Sequence, residues 1–115
     1  MEQISRMSLG ALGEDTAARL LTAKGYRIIT RNFRCRFGEI DIIALRNNCL
    51  HFIEVKTRQG IRLGRPCESV TARKQEHMRK SAVYFLKQLR EQGISVPRVS
   101  FQVIEIVIEQ IENAF

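Results

Sequence analysis

Apolar residues recur along this chain at helical spacing, then in alternation, then at helical spacing again, and finally in alternation once more. The stripe Ala11, Ala17, Ala18, Leu20 and Leu21 predicts a helix from Ser8, its cap, to about Lys24, with Gly25 as the stop. Glu14 lies three and four positions before Ala17 and Ala18, so a carboxylate borders the inward stripe. Tyr26 to Phe37 reads as a strand in which Tyr26, Ile28 and Ile29 lead into Arg31, Arg34 and Arg36; Gly38 breaks the run. A second strand runs from Glu39 to Leu45 and a third from Leu50 to about Thr57. Between them Asn47-Asn48 tolerates the positive φ of a two-residue hairpin turn. Gly60 to Pro66 reads as a loop. A long helix is predicted from about Glu68 to Gln92 through Lys74, Met78, Ala82, Phe85, Leu86 and Leu89, with Gly93 ending it. Val99 to Ile108 alternates as a last strand.

The order α-β-β-β-α-β predicts an α/β domain with a mixed sheet flanked by helices. Joining the third and fourth strands through a long helix makes those two parallel. With 115 residues and no repeat, low-complexity stretch or linker, one domain over residues 1–115 is expected. The longest aliphatic runs, such as Ile42-Ile43-Ala44-Leu45, fall far short of the ~18 residues that span a bilayer. The first residues lack the apolar centre of a signal peptide, so a cytoplasmic protein without a membrane partner is expected. Cys35, Cys49 and Cys67 are an odd, widely spaced set, which excludes a disulfide framework and a structural zinc site. His51 and His77 are too far apart to form a local ligand pair.

Charge changes the picture. Nineteen Lys and Arg face twelve Asp and Glu, and fourteen of those cations are Arg, whose planar fork matches phosphate. Thirteen cations and five acids fall between Arg27 and Lys80, a local net of +8, whereas the last eleven residues carry three Glu and no cation. A polyanionic partner follows, with nucleic acid the leading candidate. The alternative is a basic surface that only keeps the chain soluble. Arg31, Arg34, Arg36, Arg58, Arg62, Arg65 and Lys74 are the candidate phosphate contacts. Lys74 lies on the apolar stripe of the second helix. Its head is therefore expected to reach the edge of the site, on a carboxylate or a substrate phosphate. The sequence leaves a homodimer open.

The hairpin register gives the sharpest chemical expectation. With Asn47-Asn48 as a two-residue turn, Asp41 faces Glu54 and Glu39 faces Lys56, because paired numbers sum to 95. Alternation places Glu39 and Asp41 on one face, joined there by Glu54 and Lys56, beside apolar Ile43, Leu45, Leu50 and Phe52. Directly opposed carboxylates repel, and a divalent cation would turn that repulsion into a binding site. The other reading is a charged solvent-facing sheet with Glu39 paired to Lys56.

Gly38-Glu39-Ile40-Asp41, followed by Phe52-Ile53-Glu54-Val55-Lys56-Thr57-Arg58, resembles the core of the PD-(D/E)XK nuclease superfamily. More narrowly, the chain resembles the YraN-like family of small bacterial proteins related to Holliday-junction resolvases. That likeness runs through Gly10-Ala11-Leu12-Gly13-Glu14, Gly25-Tyr26 and Arg31-Asn32-Phe33-Arg34. It continues through Gly64-Arg65-Pro66-Cys67-Glu68-Ser69-Val70 and Lys74 to Asn113-Ala114-Phe115. The resemblance implies a restriction-endonuclease-like core in which Asp41, Glu54 and the Val55 carbonyl hold Mg²⁺ or Mn²⁺. Lys56 would be the catalytic lysine, and Glu14 the helix-borne acid that completes the site. Two departures stand out: Ile40 replaces the superfamily's Pro, and Ser100-Phe101-Gln102 stands where an acidic residue is expected. The expected function is hydrolysis of phosphodiester bonds in DNA, including branched or structured DNA. The alternatives are a non-catalytic nucleic-acid-binding protein of the same fold, or an RNA- or ribosome-associated accessory protein.

Overall fold

A computed structural model describes residues 8–60, 70–96 and 98–115. Six elements follow in the order α1 (Leu9–Ala23), β1 (Arg27–Cys35), β2 (Gly38–Arg46), β3 (Cys49–Gln59), α2 (Ala72–Glu91) and β4 (Arg98–Ile108). The strands form one sheet in the order β1-β2-β3-β4, antiparallel except for the β3–β4 pair, which is parallel. The α-β-β-β-α-β order and the mixed sheet are those expected from the sequence. No helix among the described residues is long and apolar enough to cross a membrane.

Local chemistry sets the boundaries. The Ser8 hydroxyl accepts the Ala11 N–H at 3.1 Å and so opens α1. Asn47 and Asn48 take φ values of 53° and 59°, the left-handed pair that a tight hairpin needs. One expected boundary moves. The first strand stops at Cys35, because Arg36 and Phe37 form the turn into β2 instead of extending the strand. The second helix starts at Ala72, where the Thr71 hydroxyl accepts the Lys74 N–H at 3.1 Å and caps it; the expected start at Glu68 lies outside the described residues. Most of the expected Gly60–Pro66 loop, with Arg62 and Arg65, lies outside the described residues, as does Cys67.

Each face of the sheet carries a core. Ala17, Ala18 and Leu21 of α1 pack on Ile42, Ala44 and Ile53. On the other face Ala82 and Phe85 of α2 pack on Ile40, Ile43, Leu50 and Phe52. The buried stripe of α1 passes through Gly13, not Ala11, and Leu20 turns outward. Gly13 explains this: a Cβ there would run into the Thr57 side chain of β3, so glycine lets the helix lie close on the strand. That approach brings the neighbouring Glu14 toward the sheet. We expect Gly13→Ala to lower stability by about 1–3 kcal/mol, overpacking outweighing alanine's better helix propensity. A urea titration would measure it, and an unchanged or raised midpoint would refute the close-packing account.

Candidate active site

The antiparallel ladder between β2 and β3 runs from Arg46↔Cys49 to Ile42↔Ile53. This is the register expected from the Asn-Asn turn, but the ladder goes no further. Beyond Ile42, β2 stays paired to β1 as far as Gly38, while β3 stays paired to β4 as far as Gln59. The two halves of the sheet therefore part, and Asp41 and Glu54 lie at the mouth of the opening. Alternation fails here as well: Ile40 packs toward α2 whereas Ile42 packs toward α1. Asp41, between them, directs its carboxylate across the gap, where Oδ2 accepts the Val55 N–H at 2.8 Å. A side chain replaces the next rung of the ladder.

These facts correct two details of the expected hairpin. Asp41 and Glu54 are not a paired rung, and Glu39 does not face Lys56. Glu39 instead stands across from Arg34 of β1 and forms an ion pair with it at 3.1 Å. Glu39 and Asp41 no longer share a simple alternating face, because the twist at Asp41 separates them.

Glu54 is the one acidic residue among the described residues that is buried, at 7% exposure. A buried carboxylate needs a partner. Lys74, in the first turn of α2, supplies one with Nζ 2.9 Å from Oε2, while its own side chain stays about half in water. The lysine head thus reaches out of the apolar stripe onto a carboxylate, and hydrogen bonding to Glu54 raises its pKa. Lys56, two positions after Glu54 on β3, shares its face by alternation and is partly buried. Glu14 of α1, its side chain 16% exposed, has Arg31 at 3.6 Å and lies near enough for its charge to act on Asp41. Arg31 also holds Asp15 at 2.7 Å.

Asp41 carries the electrostatic signature of this arrangement. Burial raises its pKa from 3.8 to about 6, the Val55 N–H opposes the rise, and the charges of Glu54 and Glu14 add to it. A raised folded-state pKa means the folded protein binds the proton more tightly than the unfolded chain does. Stability from this group is complete below the unfolded value of 3.8 and is lost as pH rises to about 6. Asp41→Asn should therefore be more stable than wild type at pH 7 in chelator, by about 2 kcal/mol. The gain should fade toward pH 4 in paired thermal melts. A gain that does not change with pH would refute the electrostatic cause.

Among the described residues no three acidic, histidine or cysteine side chains converge into a metal cage. A closed zinc-type site is thus not what the cleft offers. Two oxygen-donor carboxylates are the kind of donor set that suits Mg²⁺ or Mn²⁺, whose remaining positions water and phosphate oxygens would fill. The site passes that chemical test.

Among the described residues the expected phosphate-binding cations are spread over separate ion pairs and a ring contact, and Arg62 and Arg65 lie outside those residues. Arg31 pairs with α1 acids, Arg34 with Glu39, Arg58 with Glu105 at 3.0 Å and Lys74 with Glu54. Arg36 occupies the β1–β2 turn with its guanidinium 4.8 Å from the Phe37 ring centre. Gln102, where an acid was expected, stands across from Ile53 on β4 and turns its amide to other partners. Its amide nitrogen is 2.9 Å from His51 Nδ1 and 3.4 Å from the Tyr26 hydroxyl. It closes a polar cluster near the β2–β3 turn that also includes Ser100, 2.7 Å from the same histidine nitrogen. Sequence reasoning passed over Arg46 and Arg98, which line a pocket with Tyr26 and His51 at that end of the sheet. Arg46, immediately before the Asn-Asn turn, was the available signal; Arg98 reaches that turn only through the fold, donating to the Asn47 carbonyl at 2.8 Å.

Residues 13–106 match the family described as "Uncharacterised protein family UPF0102". A UPF0102 protein of Rhodococcus jostii (strain RHA1) is 48% identical over 102 residues, covering 89% of this chain and 84% of the relative. One from Caldicellulosiruptor saccharolyticus is 37% identical over 121 residues, covering 97% of this chain and all of the relative. One from Symbiobacterium thermophilum is 49% identical over 98 residues, covering 85% and 80%. The matched span contains Glu14, Asp41, Glu54, Lys56 and Lys74.

Proposed function

This chain belongs to the UPF0102 family, the YraN-like group, and on that premise we propose that it is a metal-dependent phosphodiesterase acting on DNA. One observation carries the reading: β2 and β3 part just where Asp41 and the buried Glu54 stand, so two carboxylates border one opening. The nuclease-like order of Asp41, Glu54 and Lys56 along these strands adds to it.

Asp41, Glu54 and the Val55 carbonyl would hold Mg²⁺ or Mn²⁺. Such an ion, when bound, supplies Lewis-acid neutralisation of charge on the reacting phosphate. The Val55 N–H fixes the Asp41 carboxylate, and Lys74 fixes that of Glu54, so neither has to reorganise when phosphate arrives. Lys56 holds the attacking water with an ammonium hydrogen. Glu14 completes the site from α1, oriented by Arg31. Water attacks phosphorus, the P–O bond to the 3′ oxygen breaks, and that oxygen takes up the proton the water releases, which leaves a 3′ hydroxyl on one product and the phosphate on the 5′ end of the other.

Purified protein assayed with Mg²⁺ or Mn²⁺ on linear, nicked, flap and four-way DNA and on RNA tests this function. Metal-dependent cleavage of DNA is expected. Binding without cleavage of any substrate would instead favour a nucleic-acid-binding module that keeps the fold.

A further inference from the structure

Away from the cleft, the outer face of α2 carries an unusual mixture. Its buried stripe is Met78, Ser81, Ala82 and Phe85. Lys80, Val83, Tyr84 and Lys87 fall at i, i+3, i+4 and i+7 on a different face. Val83 is 65% exposed and Tyr84 38% exposed, so these are not core residues. The β1–β2 turn leans against this face. Gly38 supplies the turn's φ of 143°, which residues with a side chain rarely adopt, and its backbone lies in contact range of His77 and Ser81 of α2. Cys35 Sγ donates to Ser81 Oγ at 3.4 Å, and the Phe33 and Phe85 rings meet edge-on with 5.1 Å between centroids. The turn is thereby anchored, and Phe37 comes to lie 6.4 Å from the Tyr84 ring.

A groove of about 450 Å³ results. Phe37, Val83 and Tyr84 line it together with Arg36, Arg79, Lys80 and Lys87, and the Arg36 guanidinium covers one side of the Phe37 ring at 4.8 Å. No acidic side chain lines it among the described residues. Lys80 has a carboxylate neighbour in Glu76 at 3.4 Å, but that pair is exposed and weak. Two aromatic rings among four cations match one chemistry closely: flat aromatic groups linked by phosphates.

We propose that this groove binds an unpaired stretch of nucleic acid, its bases stacking on Tyr84 and Phe37 and its phosphates meeting the lining cations. A duplex keeps its base faces stacked on each other and offers these rings nothing, whereas a single strand exposes them. The ten residues from Lys74 to Tyr84 place the groove roughly 15 Å along α2 from the Glu54 ion pair. That is about four base steps at 3.4 Å. The substrate reaching the cleft is therefore DNA with a single-stranded segment, such as a flap, gap or opened junction. The proposal rests on the nucleic-acid part of the function above, and it needs no metal.

The chain has two tyrosines and no tryptophan, so Tyr84 can report directly. In Tyr26→Phe protein with chelator, a thymidine oligonucleotide should quench the remaining tyrosine emission, while a duplex of equal length should leave it nearly unchanged. The difference between wild type and Tyr84→Phe reads the same signal should Tyr26→Phe fold poorly. Tyr84→Leu and Phe37→Leu should each weaken single-strand affinity roughly tenfold, as loss of one stacked base does. Equal quenching by duplex and single strand would overturn the proposal. So would full affinity in both leucine variants, or polyphosphate, which has no bases, competing as well as the oligonucleotide. Quenching without cleavage would leave the groove standing and remove the nuclease; cleavage without quenching would do the reverse.

Discussion

Glu54→Gln and Lys56→Met should each lower metal-dependent DNA cleavage by at least about 10²-fold, the usual scale for losing one preorganised electrostatic or proton-handling group. Glutamine keeps the size of Glu54 and an oxygen for Lys74, but it removes the charge that would hold a cation. Methionine keeps the apolar stem of Lys56 and removes its ammonium. Metal-free nucleic-acid binding should survive Glu54→Gln and tighten slightly, because an acid facing phosphate has been neutralised. Cleavage rates and chelator-phase affinities, measured side by side, separate catalysis from docking. Cleavage persisting undiminished in both variants would defeat the assigned residues.

Lys74→Met should have the next largest effect. It leaves the Glu54 carboxylate, 7% exposed, without its ammonium at 2.9 Å. Breaking a fully buried pair costs about 3–5 kcal/mol. Lys74 is half in solvent, so screening reduces the expected loss to about 1–2 kcal/mol at pH 7 in chelator. Cleavage should fall about tenfold or more, because Glu54 is no longer held in place. Adding Mn²⁺ should narrow the stability gap, since a bound cation stabilises the folded state by mass action and gives Glu54 a counter-charge. Unchanged urea midpoint and unchanged cleavage would mean that the Lys74 stem only covers apolar surface.

The elements were legible because their signals are local. Ser8 and Gly25 bracket α1, Asn47-Asn48 sets the hairpin register, and the alternation of Val99 to Ile108 marks β4. The α2 cap was not legible, because only the Lys74 N–H identifies Thr71 as one. At the candidate site the residue types and their strands were visible, but the geometry between them was not. A register argument assumes that the ladder continues, and here β1 holds the start of β2 while β4 holds the end of β3. The competition between those two pairings opens the cleft, and it depends on contacts far apart in sequence. The same holds for Glu39, whose nearest cation across the sheet is Arg34 of β1 and not Lys56 of β3. Tyr84 and Val83 were passed over because the long helix was read for its buried stripe alone, although their position beside Lys80 and Lys87 is a sequence-level signal.

The central claim is that the opening between β2 and β3 takes a divalent cation on Asp41 and Glu54. Titrating Mn²⁺ into the wild-type protein, Asp41→Asn and Glu54→Gln, with free Mn²⁺ followed by electron paramagnetic resonance, tests it most directly. The account predicts one site per chain in wild type and a loss of affinity of at least tenfold in each variant. No saturable site in the wild type, or the same affinity in all three proteins, would contradict it.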